Sequence, residues 1–163
     1  MRKKLFFVFF IVALIAFHNR VSAQEIKKVK ITDLLKFADT VTAPTVINFW
    51  ATWCPPCVHE MPYFIKETKA LADKGVQLIL VSLDFEEDYP KGIQKFMKKY
   101  GYQEKVVWLN ETDPNYFTSK FNKQWGGSIP VTYMVNNSKN YRQFYNGQLT
   151  ENQLKKALQE LIK

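Results

Sequence analysis

Apolar positions along the chain fall into two periods. Thr45-Val46-Ile47-Asn48-Phe49-Trp50 and Gln77-Leu78-Ile79-Leu80-Val81-Ser82-Leu83 are short runs rich in β-branched and aromatic residues. Near-continuous runs of that kind predict strands covered on both faces. Between them, Met61, Phe64, Ile65, Leu71 and Ala72 stand four, seven, eight, fourteen and fifteen places after Cys57, one face of a helix. Lys74-Gly75 should close that helix with a C-cap glycine, and Pro62 inside it removes a backbone donor and predicts a kink. Strand, helix, strand in that order implies a parallel, right-handed βαβ unit.

The same reading places the remaining elements. Glu25 to Lys30 predicts a short first strand, and Asp33 to Asp39 a short helix capped by Thr32 and followed by Pro44. Asp84 to Pro90 reads as a loop whose acids do not match a calcium-loop spacing and are expected to be solvated. Lys91 to Tyr100 predicts a helix ended by Gly101, Val106 to Leu109 a strand, and Asp113 or Asn115 the start of a helix running to about Trp125. Pro130 to Val135 and Asn140 to Tyr145 read as a hairpin joined through Asn136-Asn137-Ser138-Lys139. After the Asn146-Gly147 turn, Thr150 with Gln153 forms a capping box. It opens a last helix with Leu154, Ala157, Leu158, Leu161 and Ile162 on one face.

The N-terminus breaks this rhythm. Met1-Arg2-Lys3-Lys4 is followed by an unbroken apolar run from Leu5 to Phe17, then His18-Asn19-Arg20 and the small-residue stretch Val21-Ser22-Ala23. That layout predicts a secretory signal peptide over residues 1–23, ahead of a single domain over 24–163. The apolar run is shorter than the roughly 20 residues a spanning helix needs, so membrane association through residues 5–17 is expected only if the segment stays uncleaved. Four of the 23 basic residues (Arg2, Lys3, Lys4, Arg20) and none of the 15 acidic ones lie in this segment, so the formal +8 falls to +4 for the remainder. Lys91, Lys95, Lys98, Lys99 and Lys105 then read as a solvated face, with no nucleic-acid partner expected.

The chemistry concentrates in Asn48-Phe49-Trp50-Ala51-Thr52-Trp53-Cys54-Pro55-Pro56-Cys57-Val58-His59-Glu60-Met61-Pro62, which contains both cysteines of the chain. A thiol at a helix start faces unpaired N–H groups and the positive end of the helix dipole, which favour the reactive thiolate. The expected activity is thiol–disulfide exchange, with Cys54 the exposed nucleophile and Cys57 the resolving thiol. A zinc site would need four ligands, and the stretch offers only these cysteines and His59. Haem attachment would need His where Val58 stands, and a purely structural bridge over so small a loop removes little chain entropy. Glu60 lies one helical turn beyond Cys57, either as a proton acceptor that disfavours thiolates or as a solvent-facing acid complementing the dipole. Trp53 is expected to shield the site and contact substrate, Trp50 to sit in the core, and His59 to lie on the surface.

Phe49-Trp50-Ala51-x-Trp53-Cys54-Pro55-Pro56-Cys57 resembles the active-site signature of the thioredoxin superfamily. Glu60 and Pro62 resemble the continuation found in its TlpA/ResA branch of extracytoplasmic thiol–disulfide oxidoreductases. Gly127-Ser128-Ile129-Pro130-Val131-Thr132 is similar to the cis-proline segment of that family. The resemblance implies a three-layer α/β/α thioredoxin fold: a mixed sheet built as a βαβ half then a ββα half, with a short N-terminal extension. It also implies a periplasmic or envelope protein-disulfide oxidoreductase with Cys54, Cys57 and Glu60 as catalytic residues and Trp53, Pro55, Ile129 and Pro130 as substrate-binding residues. No cofactor is needed beyond the Cys54–Cys57 disulfide, and no metal is expected. Protein dithiols or disulfides would be the substrates, apocytochrome c among the compatible ones, with a membrane carrier as upstream electron donor. Asn48 departs from thioredoxin proper, which carries a buried Asp there, and Glu60 becomes the better base. Pro55 and Pro56 lack N–H donors and no His separates the cysteines, which favours a reductase over an oxidase. A non-catalytic binding module and a metallochaperone are the alternatives.

Overall fold

The computed structural model describes residues 25–163, so the signal-peptide expectation for residues 1–23 lies outside the described residues. Six strands form one sheet in the order β1 (Lys27–Val29), β4 (Lys105–Leu109), β3 (Gln77–Ser82), β2 (Thr45–Trp50), β5 (Val131–Asn136), β6 (Tyr141–Asn146). The first four run parallel, whereas β5 pairs antiparallel to β2 and β6 antiparallel to β5. The helices are α1 (Ile31–Thr40), α2 (Pro55–Lys69), α3 (Lys91–Tyr100), α4 (Pro114–Phe121) and α5 (Glu151–Ile162). A βαβ half thus passes through an α/β connection into a ββα half, the thioredoxin-like architecture the motifs imply.

The strand period sorts the core into two layers. Val46, Trp50, Leu78 and Leu80 face α2, α3 and α5 through Met61, Phe64, Ile93, Met97, Leu154 and Leu158. Ile47, Phe49, Ile79 and Val81 face α1 and α4 through Ile31, Leu34 and Phe117. Every residue of β2 is buried, which is why the strand shows no alternation.

Several boundaries differ from expectation. Lys30, not Thr32, precedes the first helical residue of α1; its N–H donates to the Asp33 carboxyl at 2.8 Å, and the Ile31 N–H donates to Glu111 at 2.9 Å. The earlier start lets Ile31 bury completely. Helix α2 continues through Pro62 but ends at Lys69, short of Gly75. The chain must turn back there, because Gln77 pairs opposite Thr45 and its N–H donates to Pro44 O at 2.9 Å. A 3-10 turn over Ala72–Lys74 and Gly75 at φ 77° make the reversal, a conformation glycine adopts at little cost. Helix α4 stops at Phe121, before Trp125. Trp125 is pulled onto the sheet instead, its ring 4.6 Å from that of Phe49 and its Nε1 donating to Ser128 O at 2.8 Å. Lys91, Lys95, Lys98, Lys99 and Lys105 are exposed, as expected.

Candidate functional site

Strand β2 ends at Trp50 and helix α2 begins at Pro55, and the turn between them carries Cys54. Two prolines open the helix, where missing N–H groups cost nothing. Cys54 caps it, its Sγ accepting from the Cys57 N–H at 3.3 Å. Cys54 and Cys57 are joined in a disulfide, with Cα atoms 5.3 Å apart. The expected exposure of Cys54 is corrected by the structure: it is 4% exposed, against 0% for Cys57. Its Sγ lies 3.8 Å from the Ile129 carbonyl oxygen, beneath the loop entering β5. The Ile129–Pro130 bond is cis. The accessible surface around the sulfurs comes from the exposed Pro55 and Pro56 and from Trp53, which is 50% exposed.

Glu60 is not the solvent-facing acid of a first helical turn. It is 1% exposed. One carboxyl oxygen accepts from Asn48 Nδ2 at 2.8 Å and the other from the Leu149 N–H at 3.1 Å. Asn48 Nδ2 also donates to Thr132 Oγ1 at 3.1 Å. Burial raises the Glu60 pKa from 4.5 to about 7, against the lowering effect of those hydrogen bonds. Asn48 therefore cannot take a proton but presents its amide to the group that can. His59 is exposed, with Nδ1 2.9 Å from Gln148 Nε2. Trp50 is fully buried, and its Nε1 finds no hydrogen-bond partner among the described residues.

A sequence model of the AhpC/TSA family matches residues 15–144. The chain belongs to the AhpC/TSA family. It is 26% identical over 116 residues to the thiol-disulfide oxidoreductase ResA of Geobacillus thermodenitrificans, covering 71% of this chain and 61% of the relative. ResA of Halalkalibacterium halodurans is 30% identical over 120 residues, covering 72% and 61%. The chain thus spans about three-fifths of the length of these curated relatives. A thioredoxin-related protein from Neisseria meningitidis serogroup B superposes with a TM-score of 0.60 at 26% identity, covering 76% of this chain and 88% of that one. A thiol:disulfide interchange protein from Chlorobium tepidum superposes with a TM-score of 0.61 at 22% identity, covering 78% and 85%, a likeness of fold.

Within this AhpC/TSA chain, the sequence-predicted residues Trp53, Cys54, Pro55, Cys57, Ile129 and Pro130 meet at the C-terminal end of β2, and Glu60 lies one turn deeper along α2. Three neighbours were not legible as site residues. Thr132 and Leu149 reach Asn48 and Glu60 from distant segments. Asp84 was expected in solvent but is 4% exposed, taking hydrogen bonds from Thr52 and Ser82. The signal for Asp84 was its position two residues past a buried strand, where a carboxyl can turn inward onto a backbone N–H and neighbouring hydroxyls. Among the described residues, no group of three or more His, Cys, Asp and Glu is placed to hold a metal ion. No described helix is long and apolar enough to cross a membrane.

Proposed function

We propose that the chain is an exported thiol–disulfide oxidoreductase that reduces protein disulfides in the cell envelope, with residues 1–23 as signal peptide and 24–163 as the working domain. The observation carrying this reading is the Cys54–Cys57 disulfide at the start of α2, with the Cys54 sulfur against the Ile129 carbonyl. The reduced pair acts through the Cys54 thiolate, which attacks one sulfur of a partner disulfide. A Cys54–partner bond forms and the other partner sulfur leaves as a thiolate. Cys57 then attacks Cys54, restoring the Cys54–Cys57 disulfide and releasing the second partner thiolate. The partner gains two electrons and, on protonation, two thiols. Glu60, whose pKa burial raises to about 7, accepts the Cys57 proton. Ile129 offers backbone to an extended partner segment, and Trp53, Pro55 and Pro130 line its path. Reduction is favoured because two prolines withhold helix donors from the Cys54 sulfur and Glu60 opposes thiolate formation, so the reduced form is not strongly stabilised. A membrane electron carrier then returns the pair to the dithiol.

Cys57→Ala tests the reading directly. The variant should accumulate mixed disulfides on Cys54, separable on a non-reducing gel and absent from Cys54→Ala. A reduced wild-type domain that cannot cleave insulin disulfides would end the proposal, and a double Cys→Ala variant retaining cellular function would favour a binding module.

A further inference from the structure

We propose that Asp84 is a positioning residue that holds the loop carrying Cys54, an inference that rests on the exchange reading above and deepens it. Asp84 lies two residues past Ser82, the last residue of β3, and is 4% exposed. Leu83 N–H donates to Trp50 O at 2.8 Å, so the exits of β3 and β2 stay side by side. One Asp84 carboxyl oxygen accepts from the Thr52 N–H at 2.9 Å and from the Thr52 hydroxyl at 2.5 Å. The other accepts from Ser82 Oγ at 2.7 Å, while Trp108 Nε1 donates to the Asp84 carbonyl at 2.7 Å. The next residue, Phe85, stacks on Trp53 with ring centroids 5.6 Å apart and planes 17° from parallel. Two consecutive residues after β3 therefore grip Thr52 and Trp53, the two residues immediately before Cys54.

The grip accounts for a costly feature. Burying a carboxyl is unfavourable unless its oxygens are satisfied, and no ion pair among the described residues involves Asp84. Two of its three donors, the Thr52 N–H and hydroxyl, come from the turn that Cys54 closes, whose N–H bonds Ala51 O at 3.2 Å, and the third is Ser82 Oγ at the end of β3. Asp84, Phe85, Trp53 and Ile129 also line one cleft of about 420 Å³. Fixing Thr52 and Trp53 there fixes the Cys54 sulfur relative to Ile129 and to the Cys57 N–H. Asp84 itself transfers no proton or electron. Its contribution is the alignment of the attacking sulfur, an effect for which a displacement near 1 Å costs on the order of a hundredfold in rate.

Three variants of the full chain test this: Asp84→Ala, Asp84→Asn and Thr52→Val. The readouts are the rate at which the reduced protein cleaves a disulfide peptide and the Cys54 thiolate pKa from absorbance against pH. Asn keeps an oxygen for both Thr52 donors, so Asp84→Asn should stay within about threefold of wild type while Asp84→Ala falls at least about tenfold. Alignment on the Cys57 N–H stabilises the thiolate, so Asp84→Ala should raise the Cys54 pKa although it removes an acid. A role through charge alone predicts the opposite sign, an equal lowering in both Asp84 variants, and that result overturns the proposal. So does a folded Asp84→Ala with wild-type rate and pKa. If Asp84→Ala does not fold, Thr52→Val decides: a severalfold slower reaction supports the grip and an unchanged one refutes it. A wild-type protein that cleaves no disulfide removes the functional reading instead, and the thiolate pKa values still judge the positioning.

Discussion

At Glu60, desolvation and hydrogen bonding pull in opposite directions. Burial disfavours the carboxylate, Asn48 and Leu149 favour it, and burial wins, leaving a pKa of about 7. Between the ordinary value of 4.5 and 7 the native state holds a proton that the unfolded chain has lost. Stability from this group therefore falls as pH rises through that window, by about 3 kcal/mol in total. Glu60→Gln should remove that slope: its stability relative to wild type, measured by urea unfolding, should improve from pH 5 to about pH 7 and level off above it. The same substitution removes a negative charge one helical turn from Cys57. It should lower the Cys54 thiolate pKa, read from absorbance, and make the pair more oxidising in a glutathione titration. An unchanged thiolate pKa would take Glu60 out of the mechanism.

At the scale of elements, α5 shows how local and tertiary terms combine. Thr150 Oγ1 accepts from the Gln153 N–H at 3.3 Å, and the Thr150 N–H donates to Gln153 Oε1 at 2.8 Å. Thr150→Ala should cost about 1 kcal/mol. Leu154, Ala157, Leu158 and Leu161 are buried against the layer that also holds Cys57 and Phe64. Leu158→Ala should cost roughly 2–5 kcal/mol, so chemical denaturation should rank it well above the cap variant. The ion pairs linking α5 to α2, Lys66 with Glu151 at 2.8 Å and Lys155 with Glu67 at 3.7 Å, are solvent-screened. Lys155→Ala should fall within about 1 kcal/mol of wild type.

For the whole molecule, β2 and β3 supply side chains to both core layers, so neither layer can form without the sheet that the other covers. Unfolding of the domain should therefore be a single cooperative transition. Far-UV circular dichroism and tryptophan fluorescence should give coincident denaturation curves, because Trp50 and Trp108 lie in one layer and Trp125 in the other. Separated curves would mean that the α1 and α4 layer comes apart on its own. The redox turn sits where the two parallel strands exit together, so the framework with the most extensive burial holds the cysteine pair.

Properties of contiguous residues were settled by the sequence alone. The buried strands, the Thr150–Gln153 box, the Gly101 stop and the placing of Cys54-Pro55-Pro56-Cys57 at a helix start all depend on short-range periodicity, capping and missing donors, and the structure reproduces them. The fold class and the meeting of the cysteine turn with Ile129 and Pro130 were legible through the motifs. Tertiary structure decided what depends on partners far away in the chain. Glu60 is bound by groups 12 and 89 positions away, and Asp84 by Thr52 at a separation of 32. A carboxyl reads as solvated or as buried according to whether such donors converge on it, and no local pattern records that. The ends of α2 and α4 followed the same logic. The register of β3 against β2 and the burial of Trp125 stopped helices that local propensity would have extended, because packing energy over a whole side chain exceeds the few tenths of a kcal/mol by which helix propensities differ.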